Sequence, residues 1–423
     1  MVLNPIKFLL FGNLLFFIMD FQLGVFTTQN IYVPASLLLN IILLFEIKYI
    51  SKIPKIFLLF FAVSLIGLAT SFFELSTKDF LTVIIKFLWI LTSGILLNHL
   101  ISNTSFKLIF FEVSKFAVFT GYFILINLFI SFLTIENSYI WNEGFKSLLI
   151  SADNSKKLSL MILPFFFLSE KRNIFVGCLI FLSLIVGTRA LMLASGFILV
   201  FSSFYFLKKN SNERFTNKLI TAVLILSVVL TAIFVVQNVR TKQLTNIVSL
   251  IDRVVIWSQY MNVIGDYPFG LGPEGGFYLV RQNPSRAGLE LSSFNEFLLQ
   301  QEQTTDTATA IDNILDKRIR VNQRLNAKSS ESIFIDFVCS FGIMGFCLII
   351  TLLFSFFKDL KTAISFKNIN FSVLYISFGG TLIYGLFNSF HSGVFFIIFL
   401  YVLYYKARSV TIKNGSFNEI SNP

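Results

Sequence analysis

Apolar runs close to twenty residues long recur through this 423-residue chain, and that repeat length constrains its fold more than any other feature. A helix needs about 20 mostly apolar residues to cross the hydrocarbon core of a bilayer. Such runs are read near 6–23, 31–47, 55–73, 80–100, 113–135, 158–169, 173–187, 190–207, 218–237, 332–357, 371–387 and 392–406. The crowded part is 156–207, where the runs are short and Arg189 interrupts them. Charged residues make up 13% of the chain, against roughly 25% in an average soluble domain. A soluble globule of this length has no core large enough to hide a chain that is 55% hydrophobic, so lipid is the solvent that fits. The 54 phenylalanines read as composition bias that lipid-facing positions tolerate. The fold expected is an all-α polytopic membrane protein with about twelve transmembrane helices and one large outer loop.

The formal net charge of +11 is not read as nucleic-acid binding, because the basic residues sit between apolar runs. They report topology instead, since cytoplasmic loops hold the excess of Lys and Arg. One set of connections carries Lys48, Lys52, Lys55, Lys107, Lys171, Arg172, Lys208, Lys209, Arg214, Lys218, Lys358, Lys361, Lys367, Lys406, Arg408 and Lys413. The opposite short connections carry only Lys78, Lys146, Lys156, Lys157 and Arg189. Both termini are therefore expected in the cytoplasm, with the long stretch outside. The first run lacks a small-x-small cleavage site and reads as a retained helix. The organisation that follows is helices one to nine in 1–237, the large loop in 238–330, helices ten to twelve in 331–407, and a cytoplasmic tail in 408–423.

The outer loop differs from the cytoplasmic connections in its basic residues. It holds Arg240, Arg253, Arg281, Arg286, Arg318, Arg320 and Arg324, but only Lys242, Lys317 and Lys328. Topology needs only charge, whereas guanidinium offers a planar fork that matches the paired oxygens of phosphate or carboxylate. The set therefore points to an anionic ligand; the alternative is a solvated face paired with Asp252, Glu290, Asp312 and Asp316. Apolar spacing over Ile251–Val263 predicts a helix on the membrane surface, with Arg253 and Trp257 on one face. That pair reads equally as an interfacial anchor. Pro268-Phe-Gly270-Leu-Gly272 then makes a tight, glycine-marked turn. Ser293 and Glu296 form a capping-box pattern, and 305–326 reads as a polar helix.

Three further residues stand where chemistry needs them. Arg189 lies at an outer helix boundary, a functional candidate by default or a snorkelling anchor. Glu331 is expected in the first turn of a helix capped by Ser329 or Ser330, where the helix dipole favours the ionised carboxylate and hence a base. His391 sits in the short outer turn between the last two helices, with a near-neutral pKa suited to proton acceptance. The alternatives are ordinary helix-start preference for Glu331 and a hydrogen-bonded turn for His391. No Asp-x-Asp pair stands in an outer loop, so no metal and no other cofactor is expected. Cys178, Cys339 and Cys347 lie inside apolar runs with neither metal nor disulfide spacing.

Taken in order, four motifs resemble the O-antigen polymerase and O-antigen ligase superfamily of bacterial envelopes. They are Thr188-Arg189-Ala190-Leu191; Arg253-x-x-x-Trp257 followed by Pro268-x-Gly270-x-Gly272; the large outer loop; and Glu331-Ser332 leading to Gly342-Ile343-Met344-Gly345. The ligase branch has His-Asn where this chain has Glu331-Ser332, a departure that favours the polymerase branch. The resemblance implies a helical bundle like the lipid-linked glycosyltransferases of the GT-C type. It implies transfer of an undecaprenyl-pyrophosphate-linked glycan onto the terminal sugar of another lipid-linked repeat unit, inverting and without metal. Arg189, Arg253, Arg281 and Arg286 are then the candidates for the pyrophosphate, and Glu331 or His391 for the base, with Arg189 also acting on the leaving group. Gly270 and Gly272 are structural. Implied partners are the lipid-linked donor and acceptor, membrane lipid, a chain-length regulator and a flippase of the same pathway. Ligase and lipid-linked oligosaccharide flippase are the competing functions.

Overall fold

A computed structural model describes residues 5–18, 22–23, 26–47, 55–134, 152–168, 174–185, 189–209, 257, 260–282, 332–387 and 394–420. These residues are almost wholly helical. The helices are α1 (Pro5–Ile18), α2 (Thr28–Phe45), α3 (Lys55–Glu74), α4 (Thr77–Asn103), α5 (Phe106–Thr134), α6 (Ala152–Leu168), α7 (Ile174–Ile185), α8 (Arg189–Lys209), α9 (Gly275–Gln282), α10 (Ile333–Ile364), α11 (Ile369–Phe387) and α12 (Val394–Ile420). A two-residue antiparallel ladder, β1 (Gln22–Leu23) with β2 (Phe26–Thr27), joins α1 to α2.

Among the described residues, five helices are long and apolar enough to cross a membrane: α4, α5, α10, α11 and α12. Shorter apolar helices accompany them at Pro5–Ile18, Ile31–Phe45, Phe61–Glu74, Ile174–Ile185 and Ala190–Tyr205. Large apolar side chains point outward along these helices, with Phe45 86% and Phe73 83% exposed. In water such a surface would aggregate; against acyl chains it costs nothing. The chain is thus built as a helical, polytopic membrane protein. The run at 218–237 lies outside the described residues.

α11 is the centre of the bundle, packed by α6, α8, α10 and α12. Its small residues let the neighbours approach, which is how helices associate where lipid is as apolar as leucine. A Cβ on Gly379 would lie 2.7 Å from Phe356 and 2.8 Å from Phe197, and one on Gly380 2.7 Å from Ile198. Buried polar side chains pin other helix pairs. Trp89 Nε1 donates to Ser36 Oγ at 2.8 Å, Ser36 donates to Asn13, and Asn40 donates to Ser93 at 2.8 Å, tying α1, α2 and α4. At the far end of α4, Lys406 Nζ of α12 donates to the Ile101 carbonyl at 2.7 Å, satisfying a helix C-terminus. Nearby, the Asp359 carboxylate accepts from Tyr404 at 2.5 Å and pairs with Arg408 at 2.7 Å.

Several boundaries differ from the sequence reading. The first helix ends at Ile18, not 23, because the chain turns into the β1–β2 ladder. α6 starts at Ala152, six residues before its apolar run. Lys156 and Lys157, expected in a short outer connection, are 7% and 6% exposed inside it. The bundle accommodates that polar turn: Asn154 Nδ2 donates to the Phe17 carbonyl at 2.7 Å, closing the end of α1. α12 runs on to Ile420 through the stretch read as a tail.

Candidate functional site

The direction of packing brings several helix ends together. Phe356 stacks on Tyr375 at 4.2 Å, so α10 and α11 run antiparallel. Tyr205 meets Phe366 at 5.2 Å while Gly380 faces Ala194 and Ile198, so α8 also runs antiparallel to α11. The starts of α8 and α10 and the finish of α11 therefore share one end of the bundle, the end read from charge as outer. Arg189 is the first residue of α8 at that end.

A helical hairpin is inserted there. Residues 260–266 are helical, 267–274 turn, and α9 returns. The tip touches Gly67 and Ser71 of α3, Val83 and Lys86 of α4, and Ser340 and Gly342 of α10. Gly67 lies seven residues before the end of α3 and Ser340 seven residues after the start of α10, about 10 Å along each axis. Lys86 lies nine residues into α4, about 14 Å. Three helices thus agree that the tip dips well below their ends. For residues 260–263, the described end of the helix expected on the membrane surface, this is a correction: Tyr260 and Val263 are 3% and 2% exposed, and their apolar face packs against protein.

Backbone chemistry explains the seat. Irregular backbone at membrane depth is tolerated only where protein satisfies it. In a regular helix, Ile343 N–H would donate to the Cys339 carbonyl. α10 breaks at Gly342 (φ 59°, ψ −142°), and Ile343 N donates instead to the Pro268 carbonyl at 2.8 Å. The two carbonyls so released, Cys339 and Ser340, accept from Leu271 N and Gly272 N, both at 3.0 Å. Ser71 donates to the Leu271 carbonyl from α3. Gly270 (φ 78°) and Gly272 (φ 74°) are the turn residues that make this approach. A Cβ at Gly342 would lie 2.7 Å from Gly270 N, and one at Gly270 2.7 Å from Phe341 N.

Beside the tip stands an ion pair. Lys86 Nζ bonds Glu274, with side chains only 18% and 12% exposed. Glu274 has φ 62°, a left-handed conformation that costs a non-glycine residue roughly 1–2 kcal/mol. Such strain persists only where surroundings over-determine it, and it concentrates at functional sites. The Lys86 ammonium also lies 6.0 Å from the ring centroid of Tyr278. Asp336 is in the first turn of α10, and Cys339 of the same helix contacts the Tyr260 carbonyl of the hairpin through its Sγ at 3.6 Å. A cation and a carboxylate thus stand beside the tip, with the Tyr278 ring next to them.

The sequence candidates fall unevenly on this frame. Gly270 and Gly272 form the seat itself. Arg281 belongs to α9, and Arg189 heads α8; the described structure of both is backbone. Ser332 occupies the N-cap position of α10, without a side-chain cap bond, and the first-turn acid is Asp336. Glu331, His391, Arg253 and Arg286 lie outside the described residues, as do the capping box at 293–296 and the polar helix at 305–326. Lys86 and Glu274 were not singled out from sequence. The signal for Lys86 was present: an ionisable residue deep in an apolar run is functional by default. Neither a protein-family profile nor any curated protein sequence matches this chain.

Proposed function

We propose that this chain is a repeat-unit polymerase for an O-antigen- or capsule-type polysaccharide in the bacterial inner membrane. It would have about twelve spans in a GT-C-like bundle, cytoplasmic termini and the large loop outside. It joins an undecaprenyl-pyrophosphate-linked glycan to the terminal sugar of a second lipid-linked unit. The observation that supports this reading is the meeting of two motifs about seventy residues apart. Pro268-x-Gly270-x-Gly272 and Gly342-Ile343-Met344-Gly345 carry the resemblance, and they form one backbone ladder. Residues that serve only as separate turns need not interlock.

The reaction needs two things from the protein. The acceptor hydroxyl oxygen bonds to the anomeric carbon while the carbon–oxygen bond to pyrophosphate breaks, so negative charge grows on the leaving phosphate. Preorganised cations there stabilise the transition state. Arg189, Arg253, Arg281 and Arg286 take that role, in place of a divalent metal. The hydroxyl proton passes to a base within hydrogen-bond reach, Glu331 first and His391 second. Attack opposite the pyrophosphate inverts the anomeric centre.

Deletion of the gene in its host tests the assignment. Envelope glycan reduced to single repeat units on its normal acceptor is the expected outcome. Complete absence of glycan from the acceptor, with lipid-linked polymer accumulating, would identify a ligase and overturn the proposal. Lipid-linked single units retained on the cytoplasmic side would identify a flippase.

A further inference from the structure

We infer that Lys86 is a positioning residue, and that its pair with Glu274 is the latch that holds the hairpin in the break of α10. The inference rests on the polymerase reading only for what the hairpin positions; the latch itself rests on the geometry. Lys86 lies about 14 Å along a membrane-spanning helix, where an unpaired ammonium is strongly disfavoured. Its partner stands at the tip of the hairpin, 188 positions away, held in a left-handed backbone conformation (φ 62°).

The apolar seating of the hairpin is small by comparison. Val263, Leu271 and Leu279 join Leu75 and Val83 in a cluster separate from the main core, and Tyr260, Phe277 and Cys339 make a second small one. Segments with few apolar contacts open locally at low cost. The ion pair therefore adds to the three backbone hydrogen bonds that seat the tip, and it is the side-chain tie between the tip and α4. With the tip unseated, the Cys339 and Ser340 carbonyls lose their donors and the head of α10 loses its fixed geometry. Arg281 on α9 moves with the same hairpin.

Cys339 is a native reporter of this state. It is 4% exposed, and its Sγ faces the Tyr260 carbonyl at 3.6 Å on the hairpin. With Cys178 and Cys347 changed to Ala, labelling by a membrane-permeant maleimide reads seating in the full chain, without substrate. Lys86→Met or Glu274→Gln should raise the Cys339 labelling rate at least about tenfold, because one buried charge is left without its partner. The exchange Lys86→Glu with Glu274→Lys should bring it back to within about threefold of the parent. If the single variants fail to accumulate, the neutral pair Lys86→Met with Glu274→Gln is compared with the exchange. Labelling of the neutral pair and protection of the exchange support the latch. Protection in the neutral variants, or equal labelling of the exchange and the neutral pair, overturns it. A chain that proves not to polymerise glycan leaves these labelling rates untouched, so the two failures are distinguishable.

Discussion

Consider replacing Gly342 with alanine. The residue sits at φ 59° and ψ −142°, close to a region that only glycine populates, and forcing a side-chain-bearing residue there costs about 1–3 kcal/mol. The added Cβ would also lie 2.7 Å from Gly270 N and overlap the Pro268 carbonyl, so the hairpin must withdraw. Withdrawal breaks three backbone hydrogen bonds, from Leu271, Gly272 and Ile343, each worth about 1 kcal/mol net. The expected loss is about 4–6 kcal/mol, local to the seat. Gly196→Ala supplies the control: that glycine is inside α8 with nothing within 4 Å of the new Cβ, so the change should be neutral or stabilise by up to about 1 kcal/mol. Hydrogen exchange followed by mass spectrometry reads the difference peptide by peptide. Peptides covering 268–272 and 339–343 should exchange about a thousandfold faster in Gly342→Ala, since 4 kcal/mol is about three decades. Exchange in Gly342→Ala as slow as in the parent would refute the interlock and the geometry on which it is built.

Other perturbations reach different parts of the account. Gly276→Cys should form a disulfide with Cys339 under mild oxidation, because the new Cβ lies 3.0 Å from that of Cys339, a few tenths of an ångström inside the usual range; a gel shift after maleimide-polyethylene-glycol labelling checks it. Asp359→Ala should destabilise the purified protein by about 3–5 kcal/mol because Arg408 loses its buried partner, while Tyr404→Phe should cost about 1.5–3 kcal/mol; thermal unfolding in detergent ranks them. Arg189→Ala should lower elongation by at least about a hundredfold if the guanidinium meets the leaving pyrophosphate, and Glu331→Gln by a similar factor if it is the base; product ladders measure both.

The apolar runs placed α2, α3, α4, α8 and α11 within about three residues at each end, because a long apolar stretch in lipid satisfies its backbone as a helix, while α10 runs seven residues past its apolar run. The turn at Gly270 and Gly272 was legible for a similar reason: glycine spacing reports positive φ whatever surrounds it. The depth of the hairpin was not. A one-sided apolar face satisfies a membrane surface and a protein groove equally, and for the described residues from Tyr260 on, the carbonyls released by the Gly342 break select the groove. The early start of α6 was hidden because Asn154 and its lysines are accommodated by the bundle, a tertiary effect with no trace in local hydropathy. Lys86 was visible as a charge in an apolar run, but its partner lies 188 positions on, beyond any local pattern.

The central claim is that this interlocked head of the bundle extends a lipid-linked glycan, and elongation by the purified protein tests it most directly. Protein in nanodiscs is supplied with an undecaprenyl-pyrophosphate-linked repeat unit and EDTA, and the products are resolved by size. A ladder of multiples from the parent, absent in Gly342→Ala, is the predicted result. No product longer than one unit, from a substrate that a control polymerase extends under the same conditions, would contradict it.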